Sequence, residues 1–302
     1  MKKILAIMLV LSMIITVMVS CGQKKEEKPS DILKTIGDNV PDPFDADVTV
    51  AMTTNENGQN LDVNLEAKIQ GKGFKNYKEG FDAEDTFYFK ADLTEIYTQL
   101  MKQMFGEETD LSEYFPDLTA KIEGMLENKT FYISSQMMGE TKGSKADFTE
   151  ILAKYSEFVK EKEGEEQKSK FEDIEKFVND KFDETAVTTD NDGSKNLTAS
   201  FTKEDINTLL DLIPADMKSG MESVDLSSLD SVKIDFKVTK DNKPAVISIE
   251  LGTSAEGTAA SGTIKVVFNG TNGFKISDID GKADFEEIQA EEIIKGFSGL
   301  MQ

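Results

Sequence analysis

From Asp230 to Phe268 the chain alternates apolar and polar side chains with a period of two. Val232, Ile234, Phe236 and Val238 are separated by Lys233, Asp235 and Lys237. Asp241-Asn242-Lys243-Pro244 reads as a turn, and Ile247, Ile249 and Leu251 then repeat the pattern. After the small residues of 253–262 it resumes at Ile264, Val266 and Phe268, followed by Asn269-Gly270 and a further extended stretch, Phe274–Ile276. Successive strand residues point to opposite faces, so each run gives a sheet one dry face and one wet face. The same pattern opens the chain: Val48, Val50 and Met52, then Leu61, Val63, Leu65 and Ile69, flank Asn55–Gly58 as a hairpin. A one-sided sheet must be covered, which calls for helices with matching apolar stripes.

Such stripes lie between the strands. Ile96, Leu100, Met101 and Met104 fall at helical spacing, as do Ile151, Leu152, Tyr155, Phe158 and Val159. Phe171, Ile174, Phe177 and Val178 make another; Ile206, Leu209, Leu210 and Ile213 another, stopped by Pro214. Leu118, Ile122, Met125 and Leu126 predict a fifth helix, and Ile288, Ile293, Phe297 and Leu300 a last one from about Glu286. Ser30 is expected to cap a short helix over Asp31–Asp38 with Ile32, Leu33 and Ile36 on one face. A strand-into-helix unit recurs: Ala91-Asp-Leu-Thr-Glu-Ile96, Ala146-Asp-Phe-Thr-Glu-Ile151 and, more loosely, Ala199-Ser-Phe-Thr202 before Ile206. Each places a capping oxygen and a first-turn acid at a helix start, after turn-like stretches at Glu79–Ala83, Gly139–Gly143 and Asp190–Gly193. The predicted fold class is α+β: a curved antiparallel β-sheet with amphipathic helices packed on one face, in a single domain over residues 31–302.

Composition narrows the chemistry. The chain has no His, no Trp and one Cys, and all 34 basic residues are Lys. Without His or a second Cys there is no Ser-His-Asp triad, no Cys-His pair and no His- or thiolate-ligated zinc. The absence of Arg removes bidentate recognition of phosphate and carboxylate. A net charge of −23 disfavours nucleic acid and anionic headgroups. No catalytic residue, cofactor or metal site is expected. Three acidic-x-acidic-Gly stretches, Asn55–Gly58, Asp190–Gly193 and Asp278–Gly281, resemble calcium loops. Thr53, Thr188 and Ile276 stand where the first ligand belongs, and only the third stretch has a closing acid, Glu287, so all three read as turn chemistry. The Met pairs 101/104 and 137/138 are read as core filling, with an adaptable apolar pocket as the other reading.

The N-terminus supplies an address. Lys2 and Lys3 precede an apolar run, Ile4–Val19, that falls short of the ~20 residues a spanning helix needs. It ends at Met18-Val19-Ser20-Cys21, which resembles the lipobox of bacterial lipoproteins. That resemblance implies a signal peptide over 1–20 and lipidation of Cys21, with residues 21–30 as a charged tether. It implies export and anchoring at the outer face of the cytoplasmic membrane, or the outer membrane of a diderm host. Two acyl chains suffice for stable anchoring.

With its lipobox, short leading helix, antiparallel strands and final meander near Val232–Ile276, the chain resembles the LolA/LppX-type half-barrel lipoproteins. The resemblance implies a sheet closed by helices around a lipid-sized cavity, and hence a non-enzymatic protein binding a lipid or other hydrophobic ligand. The alternative from the residues alone is an interaction lipoprotein with a filled core, acting through its acidic surface.

Overall fold

The computed structural model describes residues 28–36, 39–56, 59–73, 84–106, 109–153, 165–213, 229–255 and 258–292. Cys21 and its flanking lipobox, the tether to residue 27, Asn57-Gly58, 74–83, Tyr155, Phe158, Val159, Pro214, Ile293, Phe297 and Leu300 lie outside them. Twelve strands form an open sheet in the order β12-β6-β5-β4-β3-β2-β1-β11-β10-β9-β8-β7. They are β1 (Phe44–Glu56), β2 (Gln59–Lys72), β3 (Thr86–Asp92), β4 (Ala120–Glu127), β5 (Thr130–Met137), β6 (Glu140–Asp147), β7 (Thr188–Thr189), β8 (Lys195–Thr202), β9 (Leu229–Val238), β10 (Pro244–Ala255), β11 (Thr258–Phe268) and β12 (Glu286–Glu287). The helices described from end to end are α1 (Pro29–Ile36), α2 (Thr94–Phe105), α3 (Glu165–Asp183) and α4 (Lys203–Leu212), and residues 148–153 and 290–292 are helical as well. This is the α+β class expected from the alternation. The contacts divide into two compact units, one of Met1–Val40, Tyr155–Ser261 and Lys295–Gln302, the other of Pro41–Lys154 and Gly262–Ile294.

In the first unit the alternating rows meet in register. Leu197 of β8, Phe236 of β9 and Ile247 of β10 stand side by side, as do Ala199, Ile234 and Ile249, and Phe201, Val232 and Leu251. All nine are buried. α3 covers them: Phe182 meets Phe236 edge-on at 5.8 Å, and Phe177 lies 6.5 Å from Phe201. Phe182 extends the α3 stripe by one further turn beyond Val178 and has no exposed surface. Ile206 and Ile213 at the two ends of the α4 stripe are buried, and Ile32, Leu33 and Ile36 seal α1.

The start of α1 differs from expectation. The helix begins at Pro29, whose missing N–H costs nothing in a first turn. Ser30 therefore does not cap it as an acceptor. Its backbone N–H and hydroxyl both donate to the Asp183 carboxylate, at 2.9 and 2.8 Å. Asp183, at the end of α3, thus satisfies an otherwise orphaned N–H of α1 across a long sequence separation.

At all three recurrent strand-to-helix joints a side-chain oxygen meets an N–H of the first turn, but before α2 it comes from Asp92, because the residue at the cap position is Leu93, which has no oxygen to offer. Asp92 accepts from the Thr94 N–H, and Asp147 from the N–H groups of Thr149 and Glu150. Thr202 and Asp205 form a reciprocal capping box. The Asp190–Gly193 stretch is a turn, with Gly193 at φ 81°, while Glu140–Gly143 belongs to β6 and the turn before it is Met138-Gly139.

The fifth predicted helix is instead strand β4. Ile122, Met125 and Leu126 mimic helical spacing because β4 is covered on both sides: Met125 is buried on one face and Leu126 on the other. Asn128 and Lys129, both at positive φ, then turn the chain into β5. Two C-terminal expectations also change. Residues 274–285 form no strand, and the last helix starts at Ala290 rather than at about Glu286, since Glu286-Glu287 pairs parallel with Ser144-Lys145 of β6.

Candidate functional site

The registers of the second unit sort its side chains onto two chemically opposite faces. Val48, Ala67, Ala91 and Ile122 form one cross-strand row of the apolar face. Ala46, Ile69, Phe89, Gly124 and Ile133 form the next, and Phe87, Leu126, Phe131 and Ala146 the third. Phe89 lies across Gly124, where an added Cβ would come within 2.0 Å of its ring; a glycine is required there for the aromatic to lie flat on the sheet.

This face is only partly closed. Leu126, Phe131 and Ala146 are buried, whereas Phe87, Phe89 and Ile133, with Phe148, Ile151 and Ile288 packed beside them, stay half-buried. The row from Val48 to Ile122 is half-buried throughout. Ile264, Val266 and Phe268 of β11, read as inward, are half-buried too.

The opposite face is polar and strapped. Tyr88, Met125 and Tyr132 are covered by Ile276, Ile279 and Phe285 from the segment after β11. Phe285 rests on Gly143, where a Cβ would meet its ring at 2.2 Å, and approaches Tyr132 edge-on at 6.4 Å. Lys282 clamps the strap, 2.6 Å from both Glu127 and Asp278 and 5.6 Å from the centre of the Tyr132 ring. The Ser277 N–H donates to the buried Gln70, and Asn269 donates to Asp45 and Asp47. Beyond β12 the chain continues to Ile288, which packs on the apolar face, so this one segment touches both faces.

The ionisable groups here are held more firmly in the states they already have at neutral pH. Burial works to raise Asp45, but hydrogen bonds from Lys68, Asn269 and Gln70 outweigh it and hold the carboxyl below its usual range. Lys282 is raised because Asp278 and Glu127 outweigh the burial that opposes its charge. Tyr88 is pushed far up by burial and by its bond to Glu123, so it stays neutral. An acid or base built for catalysis is tuned the other way, toward the working pH.

Of the three stretches that resemble calcium sites, Asn57-Gly58 of the first lies outside the described residues, and the other two act as turns. Asp190 accepts from Lys237, Asn196 and Ser194; Asp192 accepts from Ser194; Asp278 is paired with Lys282. Among the described residues no group of three or more acidic, Cys or His side chains could hold a metal ion. Of the paired methionines only Met101 fills core; Met104, Met137 and Met138 are exposed, against both readings of them. Periodicity cannot reveal this, since it places a side chain on a face without saying whether that face is covered. No described helix is long and apolar enough to cross a membrane.

No protein-family profile matches the chain, and no curated protein matches it. Among solved structures it is similar to a DUF1329 family protein from Desulfovibrio piger, at 10% identity and a TM-score of 0.25, over 80% of this chain and 91% of that one. It is also similar to a LolA superfamily protein from Nitrosomonas europaea, at 9% identity and TM-score 0.21, over 84% and 96%. A third is the ywiB protein of Bacillus subtilis, at 6% identity and TM-score 0.18, over 77% and 96%. At these scores the likeness carries no argument about what this chain binds.

Proposed function

We propose that the chain is an exported lipoprotein, anchored through Cys21, whose folded part binds a lipid acyl chain or similar hydrophobic ligand without performing chemistry. One contrast carries this reading. The inward rows of β8, β9 and β10 are closed to solvent, while on the apolar face of β1 to β5 Ala46, Val50, Leu65, Leu126 and Phe131 are buried but Phe87, Phe89, Ile69 and Ile133 stay half-buried. Leaving that much apolar side chain partly wet is unfavourable, at about 25 cal/mol per Å², and a bound acyl chain would remove the cost. A lipid anchor holds such a face beside a supply of acyl chains. The non-enzymatic part rests on the lack of His and on Cys21 being the only thiol.

Native mass spectrometry of residues 22–302 should show a lipid-mass adduct, and a fluorescent fatty acid should bind saturably. Ile133→Asp, which places a charge in the middle row, should weaken the fatty acid at least tenfold. An adduct-free protein with no fatty-acid binding would leave the second reading, an interaction lipoprotein acting through its acidic surface, which the closed core of β8–β10 favours. The anchor has its own test. Cys21→Ala should release the protein from membranes or leave it unprocessed; a processed mutant that still sediments with membrane rejects lipidation.

A further inference from the structure

The exposed large apolar side chains Met104, Phe105, Tyr114, Met137 and Met138 are 76%, 48%, 64%, 51% and 39% exposed. They come from two stretches of the second unit that the chain ties together. Phe105, at the end of α2, meets Phe115 edge-on at 5.5 Å. Four residues later Thr119 accepts the Met138 N–H at 2.9 Å, and Ala120 pairs with Met137. Four residues span at most about 14 Å, well inside a partner footprint of ~800 Å². Met138 also sits at φ 51° in the β5–β6 turn, followed by Gly139 at φ 78°. That turn favours Asn-Gly, so an exposed Met held in a left-handed conformation serves local folding poorly. Its place there calls for another use.

The surroundings are acidic. Asp110, Glu113, Asp117 and Glu140 are exposed in the same two stretches; of the nearby lysines Lys142 is exposed, while Lys102 and Lys121, the latter acting on Asp117, are half-buried. Hydrogen bonds from Ser112 and Thr119 hold Asp110 and Asp117 below the usual carboxylate range, so the charges persist at neutral and mildly acidic pH.

We infer that this Met/Phe/Tyr patch with its acidic rim is a docking surface for a protein partner that presents an amphipathic helix with a Lys/Arg-flanked apolar face. Contiguous exposed apolar surface with a polar rim is the mark of an interaction site, and unbranched, polarisable Met adapts to a helix ridge. Charge complementarity selects the occupant. A second copy would set acid against acid, and an anionic bilayer would be repelled.

The chain lacks Trp, so Tyr114→Trp in residues 22–302, which keep every described element, gives a unique reporter. The probe is a 15-residue Leu/Lys amphipathic peptide. Its titration should shift the Trp emission to the blue, saturably, and high salt should weaken the binding. Phe105→Ser, and separately Asp110→Asn with Glu113→Gln, should each weaken it about tenfold. A remote reporter, Lys243→Trp in the first unit, should not move. Absence of a shift, an equal shift at the remote reporter, or indifference to these substitutions would overturn the inference. So would a shift produced by phosphatidylcholine or phosphatidylglycerol vesicles without peptide, which would mark a membrane contact instead.

Discussion

Phe236→Ala should lower the unfolding free energy of the first unit by about 3–5 kcal/mol, the usual loss for truncating a fully packed Phe. The ring is 3% exposed, flanked in the sheet by Leu197 and Ile247 and met edge-on by Phe182. No neighbour can follow the truncated side chain without breaking register, so the cavity stays. Lys237→Ala, one residue on, should cost no more than about 1 kcal/mol. Lys237 lies on the other face, where it pairs with Asp190 at 2.7 Å, and partly exposed pairs of this kind contribute little. Denaturant melts should follow far-UV circular dichroism. Of the six tyrosines, Tyr77, Tyr88, Tyr97, Tyr114 and Tyr132 belong to the second unit, so tyrosine emission reports chiefly on that unit. Comparable losses at 236 and 237 would refute the register. A loss well under 2 kcal/mol at 236 would mean that the space under β8–β10 is loosely filled, and would move the ligand-binding reading from the second unit to the first.

Local chemistry was legible in the sequence wherever one rule acted alone. The β9 and β10 rows and the first hairpin each follow from adjacent residues, and the structure places them as read; the three joints each keep a side-chain oxygen at the helix start, although before α2 it is that of Asp92 and not of the residue at the cap position. Three features were hidden because the deciding partner is distant. β4 carries apolar residues on both faces, since the strap covers one side, and its spacing then imitates a helix. Ser30 looks like an acceptor cap until Asp183 is beside it. Met104 completes an apolar stripe on α2 and still projects into solvent, because the stripe outruns its cover. Only the β1–β2 part of the apolar face, from Val48 to Ile69, follows from the alternation as a dry face; that the face stays partly open is a property of tertiary cover, to which alternation is blind.

The strap gives the second large effect. Ile279 is 3% exposed and packs against Tyr88 and Met125. Ile279→Ala should cost about 2–5 kcal/mol through the cavity it leaves. Ile279→Asp should cost more, because it adds an unpaired charge in a dry setting between Asp278 and Asp280. The two substitutions also differ in their response to pH. Burial raises the pKa of the new carboxyl above its unfolded value near 3.9, so the folded state holds the proton more tightly than the unfolded state. The added penalty is then fully present above the raised pKa and disappears as pH falls toward 3.9. The wild-type clamp runs in the opposite direction: Asp278 is lowered mainly by its bond from Lys282, so its contribution is lost as pH falls through the lowered value. Comparing each mutant with wild type at the same pH separates the two. The gap between the Asp and Ala variants should narrow from pH 7.5 to pH 5, whereas the cost of the Ala variant should hold steady. Tyrosine emission suits the measurement, since Tyr88 and Tyr132 lie beneath the strap. Amide exchange gives a local check: the Ile288 N–H, which donates to the Lys145 carbonyl at 2.9 Å, should lose protection in the Asp variant before the amides of β1 and β2 do. If Ile279→Asp leaves that amide protected and the tyrosine transition in place, the strap does not hold the polar face shut.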